Sequence, residues 1–193
     1  MPALISILTG VFASNFVFSR GFGVGMSIIA ASSRQKLFRI CAVVTYFCCM
    51  SSLCIWAVQK FFGLGVETEV LPLLYVTVIG AIYSLTLFLC VLFIRKRFVM
   101  IRKYIHISAF NSLVMGTAYL VSSGQETAAE FIAFGLSAGL GFSLASVMLS
   151  AVYPVLSSEK VPKAFRGYPA VMITIGIISM AMVGILGSTP SYR

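Results

Sequence analysis

The side chains that could carry chemistry are few, and most of them lie within apolar sequence. The chain has five cysteines and one histidine, the residue types that most often hold zinc or iron–sulfur clusters. The cysteines are Cys41, Cys48, Cys49, Cys54 and Cys90, and they form no CxxC pair. Because Cys41 and Cys48 are seven residues apart and would share a helix face, a metal role stays open. Small buried apolar residues are the favoured interpretation, so we predict no metal site.

The other titratable side chains predict no active site confined to this chain. His106 has no cysteine or carboxylate at a suggestive spacing, and we expect it at the membrane interface. Four glutamates lie in gaps between apolar stretches: Glu67, Glu69, Glu126 and Glu130. Such loop carboxylates are usually solvated, although they could also attract cations. The sequence therefore indicates no catalytic residue.

Six long apolar stretches must position these groups. They run roughly over residues 2–19, 40–59, 70–94, 104–125, 131–153 and 168–187. Each reaches or approaches the about 20 residues that a helix needs to cross the hydrocarbon core. The chain is 60% apolar and 10% charged, with a mean hydropathy of +1.03, which excludes an ordinary soluble domain. We predict an all-α membrane protein with six transmembrane helices, in which residues 1–193 form a single domain.

The basic residues are distributed unevenly among the gaps. The gaps after the first, third and fifth stretches hold three, five and three of the fourteen Lys and Arg residues. Lys and Arg accumulate in cytoplasmic loops, so both termini are predicted to face outward. The net charge of +9 does not indicate nucleic-acid binding, because the cations flank apolar stretches on one side and lack interleaved aromatic and polar surface. The orientation of the chain in the lipid bilayer explains these cations better.

The first third of the chain is too long for one straight crossing. Residues 1–33 contain one charge, Arg20, and would form a helix of about 50 Å at 1.5 Å per residue. Gly21, Gly23 and Gly25 follow Arg20 and let the backbone leave helical geometry. We predict a break there, followed by a half-helix or re-entrant segment at about 20–31. The alternative is a helix that ends near Ser19, followed by an interfacial loop.

Two amides are predicted inside apolar stretches, Asn15 in the first and Asn111 near the middle of the fourth. An unpaired amide in the membrane is costly, so both should face protein or a polar path. Together with Arg20 they form a candidate intramembrane polar path. Three crossings in each half would make the halves, about 1–97 and 98–193, run in opposite directions. We predict two inverted repeats whose first helices, the first and fourth of the chain, are broken.

Small residues crowd the fifth stretch. Gly135 and Gly139 form a GxxxG pair within it. Such spacing lets two helix backbones approach closely. We expect packing between helices of this chain, and contact between subunits is the alternative.

Several short motifs, in order, resemble those of a known family: the A subunit of the Rnf complex, also called Rsx, and its counterpart, the E subunit of the sodium-pumping NADH:quinone oxidoreductase. The motifs are SNFVF at 14–18, LCIWAV at 53–58, FNSLVMG at 110–116, GFSLASVMLSA at 141–151 and VPKAFRG at 161–167. The last two are the most specific. The resemblance extends over nearly the whole chain.

The resemblance implies a membrane subunit of an ion-translocating electron-transport complex in a bacterial or archaeal cytoplasmic membrane. In such complexes, electron exchange with ferredoxin, NADH or a quinone accompanies the movement of sodium ions or protons. It also implies a homologous six-helix partner of opposite topology, other Rnf-like subunits, and flavins on partner subunits. In the family, the pair shares an iron–sulfur cluster near the middle of the membrane. Each subunit supplies two cysteines, one from the broken first helix and one from the fourth.

The chain departs from the family at the cluster ligands. The two ligand positions fall on Gly25 and Ser112. Glycine has no ligand atom, and a neutral serine is a poor replacement for a thiolate at a soft iron site. We therefore expect that the usual cluster does not form. Three functions stay open: a redox-driven ion pump with a different electron route, a non-redox secondary transporter or ion-conducting subunit on the same scaffold, and a structural anchor for neighbouring subunits.

Overall fold

The described residues form helices joined by turns. The computed structural model describes residues 7–8, 10–12, 15–62, 71–93, 98–121 and 127–186, and no β-strand occurs among them. Eight helices have bounds within these ranges: α1 Phe16–Arg20, α2 Val24–Ala31, α3 Arg34–Phe62, α4 Leu71–Phe93, α5 Phe98–Ala109, α6 Ser112–Val121, α7 Ala128–Leu156 and α8 Tyr168–Leu186. The predicted all-helical class is confirmed over this part of the chain.

Three of the helices are long and apolar enough to cross a membrane. They are α3 over Arg34–Phe61, α4, and α7. They contain most of the second, third and fifth predicted stretches. The apolar segments Ser112–Val121 and Tyr168–Gly184 are shorter. Much of the first predicted stretch, 2–19, lies outside the described residues.

Helices α3 and α7 form the centre of the described structure, and their glycines explain how closely they pack. A Cβ added at Gly135 would lie 2.7 Å from the carbonyl oxygen of Cys48, and one added at Gly139 would lie 2.6 Å from the Cα of Thr45. Only residues without a Cβ allow this approach. The GxxxG pair therefore packs within the chain, as expected.

Two interruptions of the helical backbone concern the helices predicted to be broken, the first and the fourth. Helix α1 ends at Gly21 and α2 begins after Gly23, and both glycines have a positive φ, 71° and 76°. These left-handed conformations favour glycine, and they confirm the predicted departure from helical geometry. Gly25, in contrast, lies inside α2. The second interruption separates α5 from α6 at Phe110 and Asn111, so two helices divide the stretch predicted at 104–125.

The start of α7 uses one of the four glutamates that lie between the apolar stretches. Glu130 accepts a hydrogen bond from the backbone N–H of Thr127 at 3.3 Å, and the Thr127 hydroxyl accepts one from the backbone N–H of Glu130 at 3.4 Å. This reciprocal cap satisfies two groups that a helix start leaves unpaired. The other three glutamates, Glu67, Glu69 and Glu126, lie outside the described residues.

Candidate functional site

Asn15 lies at the first interruption and caps α1. Its side chain is 2% exposed. Its Oδ1 accepts hydrogen bonds from the backbone N–H groups of Val17 at 3.0 Å and Phe18 at 3.5 Å. Its Nδ2 donates to the carbonyl oxygens of Val11 at 3.0 Å and Gly141 at 2.9 Å. Both amide protons are therefore engaged, and Asn15 holds the start of α1 against α7.

Asn111 occupies the corresponding place at the second interruption, but its amide is not fully paired. The side chain is 8% exposed. Its Oδ1 accepts a hydrogen bond from the backbone N–H of Leu113 at 3.4 Å and one from the Ser112 hydroxyl at 3.5 Å. Its Nδ2 is buried and has no hydrogen-bond partner among the described residues. A buried donor without an acceptor costs free energy. The buried hydroxyls of Ser27 and Ser108 also have no hydrogen-bond partner among the described residues.

The two interruptions meet in the tertiary structure. The Ser112 hydroxyl accepts a hydrogen bond from the backbone N–H of Gly23 at 2.9 Å, although the two residues are 89 positions apart. The ring of Phe22 packs against Gly116, where an added Cβ would lie 2.5 Å from the ring. The turn between α1 and α2 is thus held against the start of α6.

The two residues at the predicted ligand positions, Gly25 and Ser112, lie on this junction, and their side chains do not fit an iron–sulfur cluster. Gly25 is two residues from Gly23 and is exposed, and an added Cβ there would meet nothing within 4 Å. Ser112 is exposed as well, but its oxygen accepts from the backbone N–H of Gly23. Neither residue offers a thiolate, which such clusters require. Within the described ranges no group of three or more His, Cys, Asp or Glu side chains could hold a metal ion.

The five cysteines lie on α3 and α4, not on the helices that form the junction. Cys48 is fully buried, and its sulfur accepts a hydrogen bond from the Thr117 hydroxyl at 3.8 Å. All five thiols are free. They therefore pack as small apolar side chains in the described structure.

A cavity adjoins the second interruption. It has a volume of about 230 Å³ and is half enclosed. Its lining comprises two residues of α4 and five of the segment from the end of α5 into α6: Val76, Ile79, Ala109, Phe110, Asn111, Ser112 and Met115. No lining residue is charged. Asn111 and Ser112 are the polar residues of an otherwise largely apolar lining.

Arg20, the third residue of the predicted polar path, is the last residue of α1 and is exposed. A cation there interacts favourably with the negative end of a helix dipole. Among the described residues, no hydrogen bond or ion pair links Arg20 to Asn15 or Asn111. A polar path through these three residues stays a prediction.

A further polar cluster, which the sequence reasoning missed, joins α4 to α5. Arg102 Nε donates a hydrogen bond to His106 Nε2 at 3.0 Å, and the hydroxyl of Tyr83 contacts Nδ1 of the same ring. Because the arginine N–H can only donate, Nε2 is the acceptor and Nδ1 carries the proton toward Tyr83. The spacing of Arg102 and His106, four residues apart on one helix, was the available signal. This spacing does not indicate that Tyr83 contacts His106.

Arg166 closes the connection between α7 and α8. Its guanidinium donates to the carbonyl oxygen of Val161 at 3.3 and 3.4 Å and to that of Glu159 at 3.2 Å. A planar guanidinium suits several acceptors at once. The conspicuous arginine of the VPKAFRG motif therefore stabilises its own loop.

The fold and the junction define a helical membrane protein in which two interrupted helices meet at asparagine-capped breaks. The chain belongs to the Rnf-Nqr family: the family described as "Rnf-Nqr subunit, membrane protein" matches residues 4–188. This confirms the resemblance inferred from the motifs.

Two relatives show the extent of the similarity. The chain is 26% identical over 189 residues to the A subunit of the ion-translocating oxidoreductase complex of Edwardsiella ictaluri, and the match covers 95% of this chain and 96% of that protein. It is 23% identical over 188 residues to the A subunit of the Na(+)-translocating ferredoxin:NAD(+) oxidoreductase complex of Acetobacterium woodii, with 97% and 98% covered. The similarity therefore spans both chains nearly end to end.

Proposed function

We propose that this chain is the A-type membrane component of an Rnf-like complex that couples electron transfer to the movement of sodium ions or protons. The observation that carries the proposal is the similarity, over 95% or more of the chain, to the A subunits of ion-translocating oxidoreductase complexes. The chain itself supplies no complete active site. It acts with flavin-bearing subunits of the same complex.

The proposed topology has six transmembrane helices in two inverted repeats, about 1–97 and 98–193, with both termini outside the cytoplasmic membrane. The two interruptions support it, because in each an asparagine accepts a hydrogen bond from the N–H group two residues later. The basic gaps supply the orientation. In this arrangement a homologous subunit of opposite topology pairs with the chain around the junction of the breaks.

The electron route of this complex differs from that of the family at the junction. Gly25 and Ser112 supply no thiolate, and the Ser112 oxygen bonds the backbone of Gly23 instead. The hydrogen bond joins the two breaks directly. We propose that the breaks serve the ion-translocating scaffold here and that electrons cross by a carrier that other subunits hold.

Purification of the intact complex through a tag on this chain tests the function. We expect flavin-bearing subunits to copurify, as seen by flavin absorbance and mass spectrometry. Low-temperature EPR and metal analysis then test the electron route. Replacing all five cysteines of this chain by serine should leave the iron content and the EPR spectrum unchanged.

Two results would contradict these proposals separately. A complex with neither flavin nor redox-active iron would exclude the electron-transport function. An iron–sulfur signal that survives replacement of the partner subunit's cysteines but is lost with those of this chain would show that this chain still ligates a cluster. In that case the function would stand and the altered route would not.

A second candidate function is a non-redox transporter or ion-conducting subunit on the same scaffold. The unpaired amide of Asn111 favours it, since a polar group free inside a membrane protein often marks a pathway. Its test is ion flux into vesicles that contain the complex, without an electron donor. An Arg20→Ala or Asn111→Ala variant should lower this flux, whereas Arg193→Ala, outside the apolar stretches, is the matched control. Equal fluxes would reject the polar path.

A further inference from the structure

The structure brings cations of two basic gaps together on one surface. Helices α3 and α5 begin beside each other, because the Arg39 guanidinium lies over the ring of Tyr104, 5.7 Å from its centroid, and donates to the sulfur of Met100 at 3.5 Å. Lys36 lies one turn before Arg39 on α3, and Lys103 lies one turn after Met100 on α5. All three cations are exposed, and we call them the basic surface.

The basic surface has no counter-charge in the part of the chain that the structure describes. Two of the five acidic side chains, Glu130 and Glu159, lie within the described ranges. Neither forms an ion pair with the basic surface. The Arg39 guanidinium contacts a sulfur and an aromatic face instead, so most of its five N–H donors stay available for an anion.

Exposed apolar side chains flank these cations. Phe38, Val99 and Met100 are 79%, 86% and 60% exposed. The cations of α3 lie in the first two turns of a helix long enough to cross a membrane, which is where lipid headgroups lie. An anionic phospholipid offers phosphate oxygens to the cations and acyl chains to the apolar side chains. This combination of contacts favours a lipid over an acidic protein segment.

The basic surface lies away from the junction of the breaks. Met100 precedes Ala109, the end of α5, by nine residues, which corresponds to about 14 Å along the helix. Helix α5 therefore has the basic surface near one end and the second interruption at the other. The proposed partner subunit pairs around the junction, so its proposed position does not include the basic surface.

We propose that the basic surface binds the phosphate of one anionic phospholipid. The Arg39 guanidinium donates to two phosphate oxygens, because its planar fork matches their spacing, and Lys36 and Lys103 act as flanking point charges. The proposal rests on the location of the chain in a membrane and not on the electron-transport function. Either can therefore fail without the other.

Native mass spectrometry of the intact complex tests the proposal. The complex is purified through a tag on this chain, freed of lipid in detergent, and mixed with phosphatidylglycerol or phosphatidylcholine that carry the same acyl chains. The double variant Lys36→Gln, Lys103→Gln should bind phosphatidylglycerol at this site about 25-fold more weakly, since each cation near an anionic headgroup contributes about fivefold. At a concentration that just saturates the parent, it should retain one phosphatidylglycerol fewer per copy of this chain. Its binding of phosphatidylcholine, which has no net charge, should equal that of the parent.

Two further variants locate the site. The double variant Lys160→Gln, Lys163→Gln is the matched control, because it removes the same charge from exposed positions between α7 and α8. It should retain as many lipid molecules as the parent. Arg39→Lys keeps the charge but loses the fork, so it should weaken phosphatidylglycerol binding about fivefold, the effect of one net hydrogen bond. Subunit composition and circular dichroism verify that each variant is assembled and folded.

Four results would overturn the proposal. Equal numbers of bound phosphatidylglycerol in the parent and in the assembled Lys36 and Lys103 double variant would exclude a site on the basic surface. An equal loss in the Lys160 and Lys163 control would show a general attraction of anionic lipid and no site. Unchanged affinity in Arg39→Lys would exclude the guanidinium as the phosphate ligand. Loss of a subunit, and not of a lipid, from the first double variant would assign the basic surface to an acidic protein partner.

Discussion

The two asparagines offer a sharp test of the junction, because they cap equivalent breaks with unequal numbers of hydrogen bonds. Replacing Asn15 by alanine removes the acceptor for the N–H groups of Val17 and Phe18 and the donor to the carbonyl oxygens of Val11 and Gly141. The same change at Asn111 removes an acceptor and no paired donor. We expect Asn15→Ala to destabilise the fold more than Asn111→Ala.

The magnitude follows from these contacts. Loss of a helix N-cap costs about 1 kcal/mol. The two bonds that the Asn15 amide donates add about 0.6 to 1 kcal/mol each in a membrane protein. Asn15→Ala should therefore lower the free energy of unfolding by about 2 to 3 kcal/mol. Asn111→Ala should lower it by about 1 kcal/mol or less, since its cap bond at 3.4 Å is long.

The assay is reversible unfolding of the full chain in mixed micelles with increasing SDS, followed by circular dichroism. Asn15→Ser provides the control, because serine is also a good helix N-cap and lacks the two amide protons. The decrease in the free energy of unfolding of this variant should lie between the decreases of the two alanine variants. The loss of two donated bonds should separate the free energies of unfolding of Asn15→Ala and Asn111→Ala by well over about 0.5 kcal/mol. A smaller difference between the two variants would refute the conclusion that the two asparagines contribute unequally.

Two further predictions concern packing and the loop before α8. Gly139→Ala should destabilise the protein by about 1 to 3 kcal/mol in the same unfolding assay, because the new Cβ would lie 2.6 Å from the Cα of Thr45. Gly176→Ala is the control, because a Cβ there meets nothing within 4 Å, and it should stabilise the protein by up to about 1 kcal/mol. A loss equal at both positions would contradict the close helix contact. Arg166→Ala should speed tryptic cleavage after Lys163, because the loop loses the three hydrogen bonds that close it. The rate of cleavage is measured by mass spectrometry. If this rate did not change, contacts other than those of Arg166 would stabilise the loop.

The positions of the apolar stretches and of the first break could be predicted from local sequence properties. Helices α3, α4 and α7 fall within or around predicted stretches because each turn of a membrane helix must satisfy its own backbone and face an apolar surround. The break at Gly21 and Gly23 follows from the absence of a Cβ, which makes positive φ inexpensive. Neither conclusion needs a partner elsewhere in the chain.

The polar pairings could not be predicted in the same way. The cluster of Tyr83, Arg102 and His106 forms because α4 and α5 pack side by side, and nothing near His106 in the sequence indicates Tyr83. The bond between Ser112 and Gly23 likewise depends on two breaks 89 residues apart coming together. A hydrogen bond requires donor and acceptor within about 3 Å, a condition that only the packed helices meet.

The sequence by itself determined an all-helical membrane protein and the family motifs, because hydropathy and motif spacing are properties of the residues themselves. It also shows residues without a thiol at the two predicted ligand positions, Gly25 and Ser112. Asn15 and Asn111 looked equivalent at that level. Only the tertiary structure separated them, since a carbonyl oxygen that accepts from Asn15 belongs to Gly141, 126 residues away, while the Nδ2 of Asn111 has no acceptor among the described residues. The physical reason is that the stability of a polar group in an apolar surround depends on its hydrogen-bond partner. When that partner is distant in the sequence, only the packing of the helices determines whether it is present.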